Sequence, residues 1–118
     1  MSDKEFCLFH NPRCSKSREA LALLQERGLS PQVREYLKTP PSLAELQQLC
    51  VRLALPAREL LRSGEEEYAR LNLARAELSE DDLLQAIAQH PRLLQRPILV
   101  RGDRALIARP PERVLELL

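Results

Sequence analysis

Two short apolar runs separated by one helical stretch fill residues 5–37, and that order constrains the fold more than any other feature of the chain. Residues 5–10 read Glu-Phe-Cys-Leu-Phe-His and are closed by Asn11-Pro12, the pattern of a buried strand. From Ser15 to Arg27, the apolar residues Ala20, Leu21, Leu23 and Leu24 stand among charged ones, which predicts a helix. Gly28 follows, and glycine accepts the positive φ at which many helices end. Gln32 to Leu37, with Val33, Tyr36 and Leu37 apolar, reads as a second strand. A strand–helix–strand crossover of this length joins parallel strands.

Lys38-Thr39-Pro40-Pro41 breaks the pattern. Ser42 then opens a helix with a capping box to Glu45, and Leu43, Leu46, Leu49, Cys50 and Leu53 follow at helical spacing. A short helical turn is expected over Ala57–Leu61 and a short helix over Glu65–Leu73. A longer helix is expected from the Ser79 cap to about Gln89, with Leu83, Leu84, Ile87 and Ala88 inward. Pro97–Val100 and Ala105–Ala108 read as strands joined by a tight turn at Arg101–Arg104, where Gly102 suits a two-residue hairpin. Pro110-Pro111-Glu112 opens a last helix, with Val114, Leu115, Leu117 and Leu118 apolar. The order is βαβ, a helical block, then ββα. The expected fold class is therefore α/β and thioredoxin-like: a four-stranded mixed sheet, with a helical insertion over about residues 42–95 between the second and third strands. The whole of 1–118 is expected as a single domain.

Composition narrows the function classes. At 118 residues one domain is expected, large enough to bury a core without disulfides or metal. Eighteen basic against seventeen acidic residues give a formal charge of +1, which argues against a nucleic-acid binder working by bulk charge. The aromatic residues are Phe6, Phe9, Tyr36 and Tyr68, too few for base-stacking platforms. No apolar run approaches the ~18 residues of a membrane span, and Met1–Glu5 mixes charge signs unlike a signal peptide. Three cysteines, Cys7, Cys14 and Cys50, show no C-x-x-C spacing. That argues against a disulfide framework or a zinc knuckle and fits a reducing cytoplasm, the expected location.

The chemistry concentrates in His10-Asn11-Pro12-Arg13-Cys14-Ser15-Lys16-Ser17-Arg18, between the carboxyl end of a strand and the start of a helix. Open α/β sheets bind ligands at such strand ends, and unpaired N–H groups at a helix start favour an anion. A cysteine there ionises more easily than a free thiol, and the thiolate is the nucleophile. Arg13, Lys16 and Arg18 add positive charge, as does His10 if protonated. The competing reading of Cys14 is an inert small residue in a loop. Cys7, in mid-strand, and Cys50, on an apolar helix stripe, read as core residues. Arg62, Arg96 and Arg109 stand at a helix end and before two prolines, and guanidinium groups bind tetrahedral oxyanions through paired donors. Each alone reads equally as a solvated surface residue. His10 reads as either a hydrogen-bonded structural residue or a general base, and His90 as a C-terminal helix cap.

Together with Glu35-Tyr36-Leu37-Lys38-Thr39-Pro40-Pro41-Ser42, Glu59-Leu60-Leu61-Arg62, His90-Pro91, Gln95-Arg96-Pro97-Ile98-Leu99-Val100 and Ala108-Arg109-Pro110, that loop resembles the glutaredoxin-coupled arsenate reductase family, in order over nearly the whole chain. The resemblance implies that Cys14 is the catalytic cysteine and that His10 helps to ionise it. It implies a Ser17 hydroxyl beside the thiolate, and Arg62, Arg96 and Arg109 as the substrate-binding arginines. It also implies a cis proline at Pro97. The loop departs from the family pattern in carrying Ser15-Lys16 after the cysteine, where Gly-Thr is usual.

The expected function is reduction of arsenate to arsenite by an oxidoreductase through a covalent Cys14 adduct. Glutathione is the co-substrate and glutaredoxin the protein partner. No tightly bound cofactor and no metal are expected, and the protein is expected as a monomer without nucleic-acid or membrane partners. One alternative is a thiol–disulfide oxidoreductase that removes glutathione from other substrates. Another is a transcription-regulator-like binding module; such regulators carry C-x-x-C in this loop, where this chain has Ser17.

Overall fold

The structure, a computed structural model, describes residues 6–118. The described residues up to Thr39, together with Arg96–Leu118, form one compact unit, and Pro40–Gln95 form a second. The segment expected as the insertion falls within the second unit. Glu5, expected to head the first strand, and the Met1–Glu5 segment lie outside the described residues. Among the described residues no helix is long and apolar enough to cross a membrane.

The first unit is built from β1 (Phe6–His10), α1 (Ser15–Glu26), β2 (Gln32–Glu35) and, from the far end of the chain, the last two strands and a closing helix. These strands, Ile98–Arg101 and Arg104–Ile107, are β3 and β4. Sheet order is β2-β1-β3-β4, with β1 parallel to β2, and β3 antiparallel to both β1 and β4. This is the thioredoxin-like mixed sheet. Its directions bring the carboxyl ends of β1, β2 and β4 and the start of β3 to one edge. Asn11–Cys14, Tyr36–Lys38, Arg96-Pro97 and Ala108-Arg109 meet there because each segment adjoins one of those strand ends.

Alternation along the strands makes the core. Phe6 and Leu8 of β1, with Leu99 and Leu106, pack against Ala20 and Leu24 of α1 and Val114 and Leu117 of the closing helix. Each such leucine contributes about 1.5–3 kcal/mol by leaving water. α1 stops where Gly28 takes φ +78, and the hairpin turns at Gly102 with φ +60.

Several elements differ from the sequence expectation. β2 ends at Glu35, because the N–H groups of Lys38 and Thr39 both turn back to the Glu35 carbonyl at 3.0 Å. Tyr36 is fully buried, whereas Val33 on this edge strand and Leu37 in the turn after it are exposed. The closing helix, Pro111–Leu117, is 3₁₀ rather than α. Its three-residue turn aligns Pro111, Val114 and Leu117 as one buried stripe, leaving Leu118 exposed. β3 begins one residue later than expected, and β4 one residue earlier.

The second unit holds α2 (Leu43–Leu53), α3 (Glu66–Arg70) and α4 (Glu80–Gln89), with 3₁₀ turns at Ala57–Leu60 and Pro91–Leu93. Ser42 and Ser79 each close a complete capping box, with Glu45 and Asp82. α4 packs on α2 and on both 3₁₀ turns through Leu83, Leu84, Ala86 and Ile87, with Ala86 more deeply buried than the expected Ala88. An isolated bridge, Leu61 to Leu94, ties the residue after the first 3₁₀ turn to the last residues of the unit, flanked by Arg62 N–H to the Leu93 carbonyl and Gln95 N–H to the Leu60 carbonyl, both 2.8 Å.

Candidate active site

Cys14 is the N-cap residue of α1, with φ −94 and ψ 122. Its own N–H donates to the Asn11 carbonyl at 3.0 Å, which closes the loop after β1. The side chain makes no cap hydrogen bond as a thiol; the helix N–H groups act on the thiolate instead. Burial alone would push the thiol up. The Ser17 backbone N–H, the Arg96 side chain, the Lys16 backbone N–H and the Arg96 charge together outweigh it, and the Cys14 pKa lies below its ordinary value.

Arg96 therefore favours the thiolate both as a donor and as a charge. Arg96-Pro97 and Arg109-Pro110 are both cis peptides. Arg109, exposed at the end of β4, donates from Nη1 to the Arg96 carbonyl at 3.4 Å. Two of the three expected arginines thus stand together with the cysteine. Arg62 belongs to the second unit, where its Nη1 lies 3.6 Å from Glu65 Oε1 and its backbone is held by Leu93.

His10 and Ser17 form a buried pair. His10 Nδ1 lies 2.7 Å from Ser17 Oγ, and the same oxygen accepts the Asn11 N–H at 3.0 Å. Ser17 thus reaches the cysteine through its backbone N–H, while its hydroxyl faces His10 and Asn11. Burial lowers the His10 pKa below 6.5, Glu35 opposes the shift, and Arg18 adds to it. The imidazole is therefore neutral near neutral pH and does not supply the positive charge the sequence left open. Ser17 is fully buried, and its hydroxyl proton has no other acceptor among the described residues, so it goes to Nδ1 and the ring proton sits on Nε2.

The remaining cations are partly engaged. Lys16 pairs with Glu19 at 3.7 Å, and Arg18 donates to the Pro12 carbonyl at 2.9 Å. Cys7 and Cys50 are half-buried rather than core residues. Cys7 lies on the strand face opposite to Phe6 and Leu8. Burial and then the Glu80 charge push the Cys50 thiol up, the reverse of Cys14. His90 caps α4 as expected, its N–H on the Ala86 carbonyl at 2.8 Å.

Asn11 is the residue that sequence reasoning passed over. It is buried, its Oδ1 accepts the Arg13 N–H at 3.0 Å, and its carbonyl and N–H hold Cys14 and Ser17. The available signal was Asn-Pro after a strand, since Asn side chains bond the backbone two residues on.

The ArsC family pattern matches residues 9–117. The chain belongs to the ArsC family. It is 50% identical over 115 residues to an Escherichia coli protein called uncharacterized protein YfgD, covering 97% of each chain. It is 46% identical over 112 residues to an arsenate reductase of Haemophilus influenzae, covering 94% of this chain and 97% of that protein. Among solved structures, an arsenate reductase from Vibrio cholerae superposes with a TM-score of 0.94 at 50% identity, over 96% of this chain and 97% of that one. The site in this chain combines a thiol of lowered pKa, a guanidinium that favours its ionised form and a second guanidinium tethered to the backbone of the first, a set whose chemistry suits a tetrahedral oxyanion.

Proposed function

We propose that this ArsC-family chain is an arsenate reductase that draws its electrons from glutathione and glutaredoxin. The observation that carries the reading is the Cys14 thiol, held below its ordinary pKa beside Arg96 at the carboxyl edge of the sheet. The names of the Haemophilus influenzae and Vibrio cholerae relatives support the substrate.

In the proposed cycle, Arg96 and Arg109 neutralise the oxyanion while the Cys14 thiolate attacks arsenic. An As–S bond forms, an As–O bond breaks, and the oxygen leaves as water after protonation. A glutathione thiol replaces a second oxygen in the same way. A glutaredoxin thiolate then attacks the glutathione sulfur. The electron pair of that As–S bond stays on arsenic, which passes from As(V) to As(III), and the mixed disulfide departs. Water releases arsenite from Cys14. His10 and Ser17 act by holding the helix start, so that the Ser17 N–H faces the sulfur. Arg62 is proposed as a further substrate arginine on the sequence resemblance. The cycle needs no tightly bound cofactor and no second copy of the chain, and it requires the reducing conditions of a cytoplasm.

The test is coupled turnover with arsenate, glutathione and glutaredoxin. Cys14→Ser should abolish it, and Arg96→Gln, Arg109→Gln and Arg62→Gln should each lower kcat/KM by about 10²–10³, the usual effect of removing one fixed donor to developing charge. Activity surviving in Cys14→Ser would end the assignment.

A further inference from the structure

A second opening lies at the same sheet edge, on the other flank of the Cys14 loop. β1 sits between β2 and β3, so the loop after β1 has Arg96 on its β3 side and the end of β2 on the opposite side. On the β2 side is a cavity of about 270 Å³, walled by residues 10–13 and by Glu35, Leu37 and Lys38. Two of its lining side chains, His10 and Asn11, are 6% and 8% exposed, yet each keeps an open polar atom. With Nδ1 engaged by Ser17, the His10 Nε2–H has no partner among the described residues. With Oδ1 engaged by the Arg13 N–H, neither has the Asn11 Nδ2. Both donors belong to side chains that line the cavity and remain within reach of solvent, so an acceptor seated there would gain two hydrogen bonds without either residue moving.

The rest of the lining states what kind. Arg13 and Lys38 add positive charge, which favours a carboxylate. Glu35, 3.4 Å from Lys38, offers a partner to an ammonium group. Pro12 and Leu37 give apolar walls. Pockets for whole small ligands run to roughly 300–1,000 Å³, so this one suits the end of a molecule rather than all of it.

We propose that the cavity seats the carboxylate-bearing end of a small zwitterionic peptide thiol, the electron donor of the reaction proposed above. Its carboxylate accepts from His10 Nε2 and Asn11 Nδ2, and its sulfur approaches Cys14 from the flank away from Arg96. Oxyanion and donor thus occupy opposite sides of one loop. The identity of the donor rests on the arsenate-reductase reading; the carboxylate preference rests on the cavity alone.

The test is calorimetric titration of the full chain with S-methylglutathione, which cannot react with Cys14, in the absence of arsenate. The wild type should bind saturably. Asn11→Asp keeps the acceptor for the Arg13 N–H but replaces the open donor with a negative oxygen, and should weaken binding at least tenfold. Leu37→Glu, at a partly exposed wall position, should do the same without disturbing the fold, so it decides the matter if Asn11→Asp misfolds. In turnover, Leu37→Glu should raise the KM for glutathione about tenfold and leave the KM for arsenate where it was. No binding by the wild type, or equal binding by Leu37→Glu, overturns the assignment. Binding that follows this pattern in a chain that fails to reduce arsenate would remove the substrate reading and leave the cavity assignment standing.

Discussion

Replacing Ser17 by Ala separates what its hydroxyl does from what its backbone does. The hydroxyl is fully buried and serves two partners, Asn11 N–H at 3.0 Å and His10 Nδ1 at 2.7 Å. A net hydrogen bond is worth about 1 kcal/mol, and a buried group left unsatisfied costs about 1–3 kcal/mol. Asn11 N–H is stranded outright, while the His10 ring can move its proton and recover part of its loss. Alanine regains about 0.5 kcal/mol of helix propensity. The sum is a destabilisation of about 2–4 kcal/mol, a large share of the roughly 5–15 kcal/mol that holds a domain folded. At this chain length that corresponds to a Tm lower by about 8–16 °C. The backbone N–H that faces the sulfur is untouched, so the pH midpoint for alkylation of Cys14 by iodoacetamide should stay in place. Differential scanning calorimetry and a pH series of alkylation rates read the two effects. A Tm within about 3 °C of wild type, or an alkylation midpoint that rises as far as in Arg96→Gln, would refute the division of roles.

Iodoacetamide at neutral pH should label Cys14 ahead of Cys50, since one thiol is lowered and the other raised, and Arg96→Gln should move the Cys14 profile to higher pH; mass spectrometry of peptides reads both. His10 should make the protein lose stability as pH falls below 6.5, because the unfolded chain then binds a proton that the buried ring resists, and stability rises with pH wherever the unfolded state holds more protons. Urea midpoints between pH 7.5 and pH 5.5 should therefore fall less in His10→Gln than in wild type, and an unchanged slope would exclude the effect. Ser42→Ala breaks the box that starts α2 and should cost about 1 kcal/mol in a denaturant titration.

Much of the architecture was legible because it rests on local signals. The run ending at Asn11-Pro12, the helix closed by Gly28 and the hairpin at Gly102 each declare themselves within a few residues, and together they determine the order βαβ then ββα. Legibility failed where the deciding information is not local. Val33 looks like a core residue in the sequence, and it is exposed because β2 lies at the sheet edge, which strand order alone determines. The closing helix was expected as α because apolar residues at 114, 115, 117 and 118 satisfy either helical period; only the burial of 111, 114 and 117 selects the three-residue turn.

The site shows the same division more sharply. That Cys14 starts a helix can be read from its neighbours, and so can the direction of its pKa. That Arg96 acts on it is implied by the family resemblance, but the physical cause, β3 pairing antiparallel beside β1, is a long-range feature that residue spacing does not carry. The role of Ser17 inverted for a related reason. A hydroxyl three residues after a helix-capping cysteine looks, in one dimension, like a partner of that cysteine. In three dimensions the first turn aims the N–H of that residue at the sulfur and its side chain back under the strand, where His10 and Asn11 are waiting. The polar pair beneath the loop is thus a consequence of helix geometry, and any residue placed there must satisfy two buried groups before it can affect the thiolate.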